Sequence, residues 1–116
     1  MLDKPNIVAI GDYFINCELI NDILNDYLKE FSLNIQCVDW KLKSFEELQE
    51  TLLLMEKEGP NMISLPENIQ KLMIGAEIII VHYCPVPAYI IEKSNNLKMI
   101  CCMRAGVENI DIESVR

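Results

Sequence analysis

Apolar residues in this chain alternate between short unbroken runs and longer stretches with helical spacing. Asn6-Ile7-Val8-Ala9-Ile10-Gly11 is a β-branched run closed by glycine and predicts a buried strand. After the loop Asp12-Tyr13-Phe14-Ile15, the residues Leu19, Ile20, Ile23, Leu24, Tyr27, Leu28 and Phe31 recur on one helical face. Asn34 to Val38 predicts a second strand that ends at Asp39-Trp40. Ser44 and Glu47 have the spacing of a capping box, and the helix they open should stop near Gly59-Pro60.

Pro66 suits the first turn of a third helix, which runs to about Gly75. Ala76 to Val81 holds a run of Ile and Val and is the clearest strand. Pro85 and Pro87 mark the turn after it, Ala88 to Lys93 is a short helix, and Leu97 to Met103 is the fourth strand. A further helix begins at Asp111, and the sequence stops at Arg116. Strands alternating with helices, each strand expected to be buried on both faces, imply a parallel sheet with right-handed crossovers. Such a sheet places ligands at the carboxyl ends of its strands. The loops Gly11 to Asn16, Asp39 to Lys43, His82 to Pro87 and Arg104 to Asn109 therefore carry the question of function.

Composition narrows the partners. With 116 residues the chain is one domain, and 51% hydrophobic against 24% charged residues is too apolar for disorder. A net charge of −8 argues against nucleic acid and against an anionic membrane surface. An anionic metabolite stays open, because one local Arg outweighs a diffuse negative background at short range. The N-terminus lacks a signal-peptide pattern, and no apolar stretch approaches the roughly eighteen residues of a membrane helix. The five cysteines, Cys17, Cys37, Cys84, Cys101 and Cys102, show no CxxC spacing. They read as reduced thiols, with Cys37, Cys101 and Cys102 buried in strands, and the expected compartment is the cytoplasm.

Each candidate constellation has two readings. Arg104-Ala105-Gly106 joins a planar fork suited to a carboxylate with a residue that lets backbone approach a ligand. The same triplet also reads as an Arg reaching solvent beside a tight turn. His82-Tyr83-Cys84 follows the clearest strand. His82 is the only histidine, so no His metal cluster can form. A lone His at a strand end is ordinarily structural, and a catalytic base would need a carboxylate partner that the sequence does not identify. Cys84 has no His beside it to activate a nucleophile. Asp39 ends the second strand, as a ribose-binding acid does, but the first loop has one glycine and no GxGxxG can be built. Asp39 is therefore expected to be a loop cap. The first loop also lacks the hydroxyl- and Gly-rich character of an FMN cradle, and His82 stands where a receiver domain needs Asp.

Ala76-Glu77-Ile78-Ile79-Ile80-Val81-His82, a Pro-containing turn and short helix, Leu97-Lys98-Met99-Ile100, and Arg104-Ala105-Gly106-Val107-Glu108-Asn109-Ile110-Asp111 carry a resemblance. Together they resemble the N-terminal, substrate-binding domain of the D-isomer-specific 2-hydroxyacid dehydrogenases, with the phosphoglycerate dehydrogenase-like branch closest in pattern. The resemblance covers the whole chain coarsely and residues 76–112 at motif level. Many members carry Arg-Ser and a hydroxyl residue where this chain has His82-Tyr83-Cys84, and Gly-x-Gly where it has Arg104-Ala105-Gly106.

The resemblance implies an α/β, flavodoxin-like three-layer sandwich with a mainly parallel sheet of four to five strands. It implies that the loop at His82, Tyr83 and Cys84 touches a substrate carboxylate, and that Arg104, Ala105 and Gly106 face the same cleft. The family's NAD-binding glycines and its catalytic Arg, Glu and His lie beyond Arg116 in sequence, so His82 is not that His. The helix that usually returns to cover this domain lies beyond Arg116 too. On this reading residues 1–116 are a single substrate-binding domain without catalytic residues, cofactor or metal, a fragment or truncated product of an NAD-dependent oxidoreductase. It would hold a small 2-hydroxy or 2-oxo acid against a separate NAD-binding domain and would be inactive alone. The rival is a stand-alone, non-catalytic module that binds a small acid or dimerises, and a receiver-type signalling domain comes third. A homodimer is expected, with neither nucleic acid nor membrane as partner.

Overall fold

All four expected strands form: β1 (Ile7–Gly11), β2 (Ile35–Asp39), β3 (Ile78–Val81) and β4 (Met99–Cys102). In the computed structural model, residues 5–30, 35–104 and 109–115 are described, the side chains of 26–28 excepted. The strands make one wholly parallel sheet in the order β2-β1-β3-β4. Between them run α1 (Cys17–Glu30), α2 (Phe45–Glu58), a 3-10 turn at Pro60–Met62, α3 (Glu67–Ile74) and α4 (Ala88–Lys93), and α5 (Ile112–Val115) follows β4. This is the flavodoxin-like α/β architecture expected, with four strands. Among the described residues, no helix is long and apolar enough to cross a membrane.

Local chemistry explains the boundaries. Ser44 Oγ accepts the Glu47 N–H at 3.1 Å, as the capping-box spacing requires, and α2 ends where Gly59 takes φ +84°. Pro66 stands at the N-cap of α3. Asn16 caps α1, its Oδ1 accepting the Leu19 N–H at 2.9 Å. Asp111, expected to open the last helix, instead precedes it and accepts the Ser114 N–H and hydroxyl.

The central strands alternate between two layers. Val8, Ile10, Ile79 and Val81 point into the main core with Leu48, Met55, Ile69, Met73 and Ile90 of α2, α3 and α4. Ile7 and Ala9 face the other way, where α1 contributes the buried Ile20. The expectation that every strand is buried on both faces fails at the edges and on one face of β3. β1 is buried throughout, but β2 and β4 have one neighbour each and are largely half-buried. Cys37, Cys101 and Cys102 are therefore only partly covered, and Cys84 is the fully buried thiol. Over β3 and β4 the α1 layer is thin, leaving Ile78, Ile80 and Cys101 half-covered and Met99 53% exposed.

The first turn is close-packed. A Cβ on Gly11 would stand 2.3 Å from Asp39 Oδ1 and 2.8 Å from the Cys17 nitrogen. Glycine is what lets Asp39 cross from β2 to accept the Cys17 N–H at 2.8 Å. Gly11→Ala should therefore cost about 1–3 kcal/mol by overpacking this junction, measured as a lower urea midpoint with an unchanged m-value.

Burial, and secondarily the charge of Asp12, raises the Cys84 thiol well above its ordinary value of 9.0. Above pH 9 the unfolded chain releases a proton there that the folded chain keeps. Stability from this group is therefore full below pH 9 and declines above it, by at most about 1.4 kcal/mol per pH unit. Urea midpoints measured from pH 7 to 10 should fall on the alkaline side, and Cys84→Ala should flatten that fall.

Candidate functional site

β1 and β3 are neighbours whose chains leave on opposite sides of the sheet, β1 into α1 and β3 toward α4. A crevice opens at such a reversal, at the carboxyl ends of the strands. Ile10 pairs with Val81 in register, so the residues that follow, Asp12 and His82, come together there. Asp12 Oδ2 lies 2.9 Å from His82 Nδ1 and accepts the Tyr83 N–H at 2.9 Å. Asp12 Oδ1 accepts the Phe14 and Ile15 N–H groups, both at 2.9 Å. The Asp12 side chain has no exposed surface and that of His82 retains 13%. A carboxylate oxygen only accepts, so Nδ1 of His82 carries the hydrogen toward Asp12.

Tyr83 sits between the two cationic candidates. Its ring centroid is 4.1 Å from that of His82, and the Arg104 guanidinium carbon stands 4.8 Å above the ring. On its outer side Tyr83 meets Phe14 edge-on at 5.7 Å, and Phe14, Phe45 and Tyr13 pack together at 5.6–6.1 Å. Tyr13 is 64% and Phe14 50% exposed, so these rings form an open aromatic shelf beside the dyad. A cavity of about 260 Å³ adjoins Asp12 on the β2 side, lined by Tyr13, Asn16, Asp39, Trp40 and Lys41 among others. A second, of about 250 Å³, lies away from the dyad, between α4, β4 and α5.

The turn after β4 is fastened to this loop from below. Asn109 is fully buried, and its Nδ2 donates to the carbonyls of Cys84 at 2.9 Å and His82 at 3.3 Å. Val86 donates to the Asn109 carbonyl and Asp111 to that of Val86, a parallel bridge between Val86 and Ile110.

Of the candidates read from sequence, His82, Tyr83 and Arg104 come together as a stack. Cys84 is adjacent in chain only: its thiol is in the core, held neutral by burial, so only its backbone can face a ligand. Ala105 and Gly106 lie outside the described residues. The Tyr83 N–H is engaged by Asp12, which removes it from the backbone donors that a carboxylate could use. Asp12, Asn109 and the shelf residues Phe14 and Phe45 are the components that sequence reasoning missed. The available signal for Asp12 was its place, directly after a buried strand that neighbours β3 in a doubly wound sheet. Asp39 is the loop cap expected of it.

No group of three or more metal-ligating side chains occurs among the described residues. The first βα turn does not fit a dinucleotide, because the N-terminus of α1, where a pyrophosphate would lie, already holds the Asp39 carboxylate.

Residues 41–116 match the family model described as D-isomer specific 2-hydroxyacid dehydrogenase, catalytic domain. No curated protein and no solved structure matches the chain. The family match spans β3, β4 and the turns after them, and so takes in His82, Tyr83 and Arg104. On that match, the chain belongs to the D-isomer-specific 2-hydroxyacid dehydrogenase family, through its catalytic domain.

Proposed function

We propose that this domain holds the carboxylate of a 2-hydroxy or 2-oxo acid over the carboxyl ends of β3 and β4. Its place would be in an NAD-dependent enzyme of the phosphoglycerate dehydrogenase-like branch. The observation that carries the reading is the stack of His82, Tyr83 and Arg104, which gathers two cation-capable side chains at one crevice of a chain with net charge −8. Stacking on Tyr83 places at this crevice a guanidinium, a planar fork whose geometry suits a carboxylate. The aromatic shelf would exclude water from one side of the acid and strengthen those hydrogen bonds. The nicotinamide cofactor is assigned to a separate domain, since the first βα turn here is filled by Asp39. A cytoplasmic setting is supported by the free thiols of Cys17, Cys37, Cys84 and Cys101.

A second copy of the chain is the proposed partner for the thin side of the sheet. The half-covered Ile78, Ile80 and Cys101 and the exposed Met99 support this reading, as an apolar strip along β3 and β4.

Two outcomes follow. Titration of the chain with 2-oxo acids, read by Tyr and Trp fluorescence, should saturate, and Arg104→Ala should weaken binding by roughly ten- to a hundredfold, the loss of a charge-assisted contact. Unchanged binding removes Arg104 from the site, and NAD-dependent turnover by the chain alone overturns the division of roles. In sedimentation velocity the chain should run as a dimer, and Met99→Lys should shift it to monomer.

A further inference from the structure

The Asp12–His82 pair does more than place an imidazole beside the crevice. All the donors around the Asp12 carboxylate are fixed: two backbone N–H groups of its own loop, the Tyr83 N–H and the His82 ring. With no exposed surface, the carboxylate cannot turn away, and the imidazole is held with Nδ1–H toward it. No hydrogen bond to Nε2 occurs among the described residues, and no buried side-chain nitrogen or oxygen lacks a partner, so Nε2 meets solvent at the crevice.

A neutral ring locked in this tautomer presents a lone pair at Nε2, which repels an incoming carboxylate. A protonated ring presents an N–H there and donates to the anion, while the resulting imidazolium lies against the buried Asp12. We propose that Asp12 is a positioning residue that makes His82 a proton-coupled anion receptor: a carboxylate is bound at Nε2 together with one proton taken from solvent. This rests on the acid-binding reading above and adds to it a hydrogen-bond donor that exists only when ligand and proton arrive together.

The other charged and titratable groups about the ring come from each neighbouring element. Tyr83 stacks on it, Arg104 after β4 lies over Tyr83, and Cys102 of β4 approaches the His82 carbonyl at 3.9 Å. Cys84 is buried within reach of the Asp12 charge, and Asp39 and Lys41 line the cavity on the far side of Asp12. Arg104 lies over the Tyr83 ring that stacks on His82, and its fixed charge adds affinity without adding proton linkage.

His82 is the sole histidine, so ring ¹⁵N and ¹³C signals of the uniformly labelled chain report it alone. In the free chain at alkaline pH the hydrogen should reside on Nδ1. Adding oxamate, a 2-oxo-acid analogue, at pH 8 should convert the ring to imidazolium. Calorimetric titration in buffers of different ionisation enthalpy should show uptake approaching one proton, with oxamate affinity weakening by up to about tenfold per pH unit as the pH rises. His82→Gln, whose side-chain amide keeps an N–H donor for Asp12, should bind oxamate more weakly and without pH dependence between pH 6 and 8.5. Asp12→Asn should abolish the Nδ1–H preference. Oxamate binding with no proton uptake, or a free ring with its hydrogen on Nε2, overturns the receptor but leaves acid binding standing. Failure of the chain to bind oxamate at any pH overturns the acid-binding reading, and the receptor with it.

Discussion

The buried carboxylate of Asp12 is the constraint on which the carboxyl end of this sheet depends. An unpaired charge taken out of water costs several kcal/mol. Here every lone-pair direction is answered, by Phe14 and Ile15 on one oxygen and by Tyr83 and His82 on the other. Those donors come from the two loops that diverge at the β1–β3 reversal. The carboxylate therefore ties together chain segments that the topology sends to opposite sides of the sheet. Loss of any donor would leave a buried charge underserved, so the loop after β3 is held in one conformation, and with it the Tyr83 ring.

Asn109 does for the turn after β4 what Asp12 does for the turn after β1. Both are buried polar side chains satisfied by the His82–Cys84 backbone, Asp12 taking its N–H at Tyr83 and Asn109 donating to its carbonyls at His82 and Cys84. The loop after β3 is thus clamped from both flanks, and what it offers outward is narrow: the far edge of an imidazole, a Tyr face and an Arg lying over it. Preorganisation of this kind lowers the entropic cost of fixing a small ligand. The exposed rings of Tyr13, Phe14 and Phe45 extend the same surface without being held by the clamp.

Local signals were legible in sequence and long-range ones were not. The Ser44 cap, the stop at Gly59 and the β-branched runs depend on residues within one turn or strand, and each stands where its pattern put it. The cap function of Asp39 was legible because the absent glycines excluded its rival role. The partner of His82 is 70 residues away, and nothing in either loop alone specifies the other. Only strand order brings them together, and strand order is set by crossover direction rather than by composition. Burial failed for the same reason: Cys101 sits in a run as apolar as that of the central β3, and its exposure, like that of Ile78 and Ile80, follows from the thin helical layer on that face rather than from the run itself.

The Gly11 junction bears on where a ligand can go. In a doubly wound fold both the first βα turn and the later strand ends are candidate anion sites. Here the first is closed, since Gly11 brings the Asp39 carboxylate onto the Cys17 N–H with no room for even a methyl group between them. A negative charge already resting on the N-terminus of α1 disfavours a second one there. At the ends of β1 and β3 the balance is reversed: the Asp12 carboxylate is buried against the imidazole, His82 keeps some exposed surface, and Arg104 lies over the neighbouring Tyr83 ring. The same kind of residue, an Asp at the end of a strand, thus repels an anion at one edge and supports the receptor for one at the other. What differs is which neighbour the carboxylate reaches, a helix N-terminus or a ring that can carry a proton.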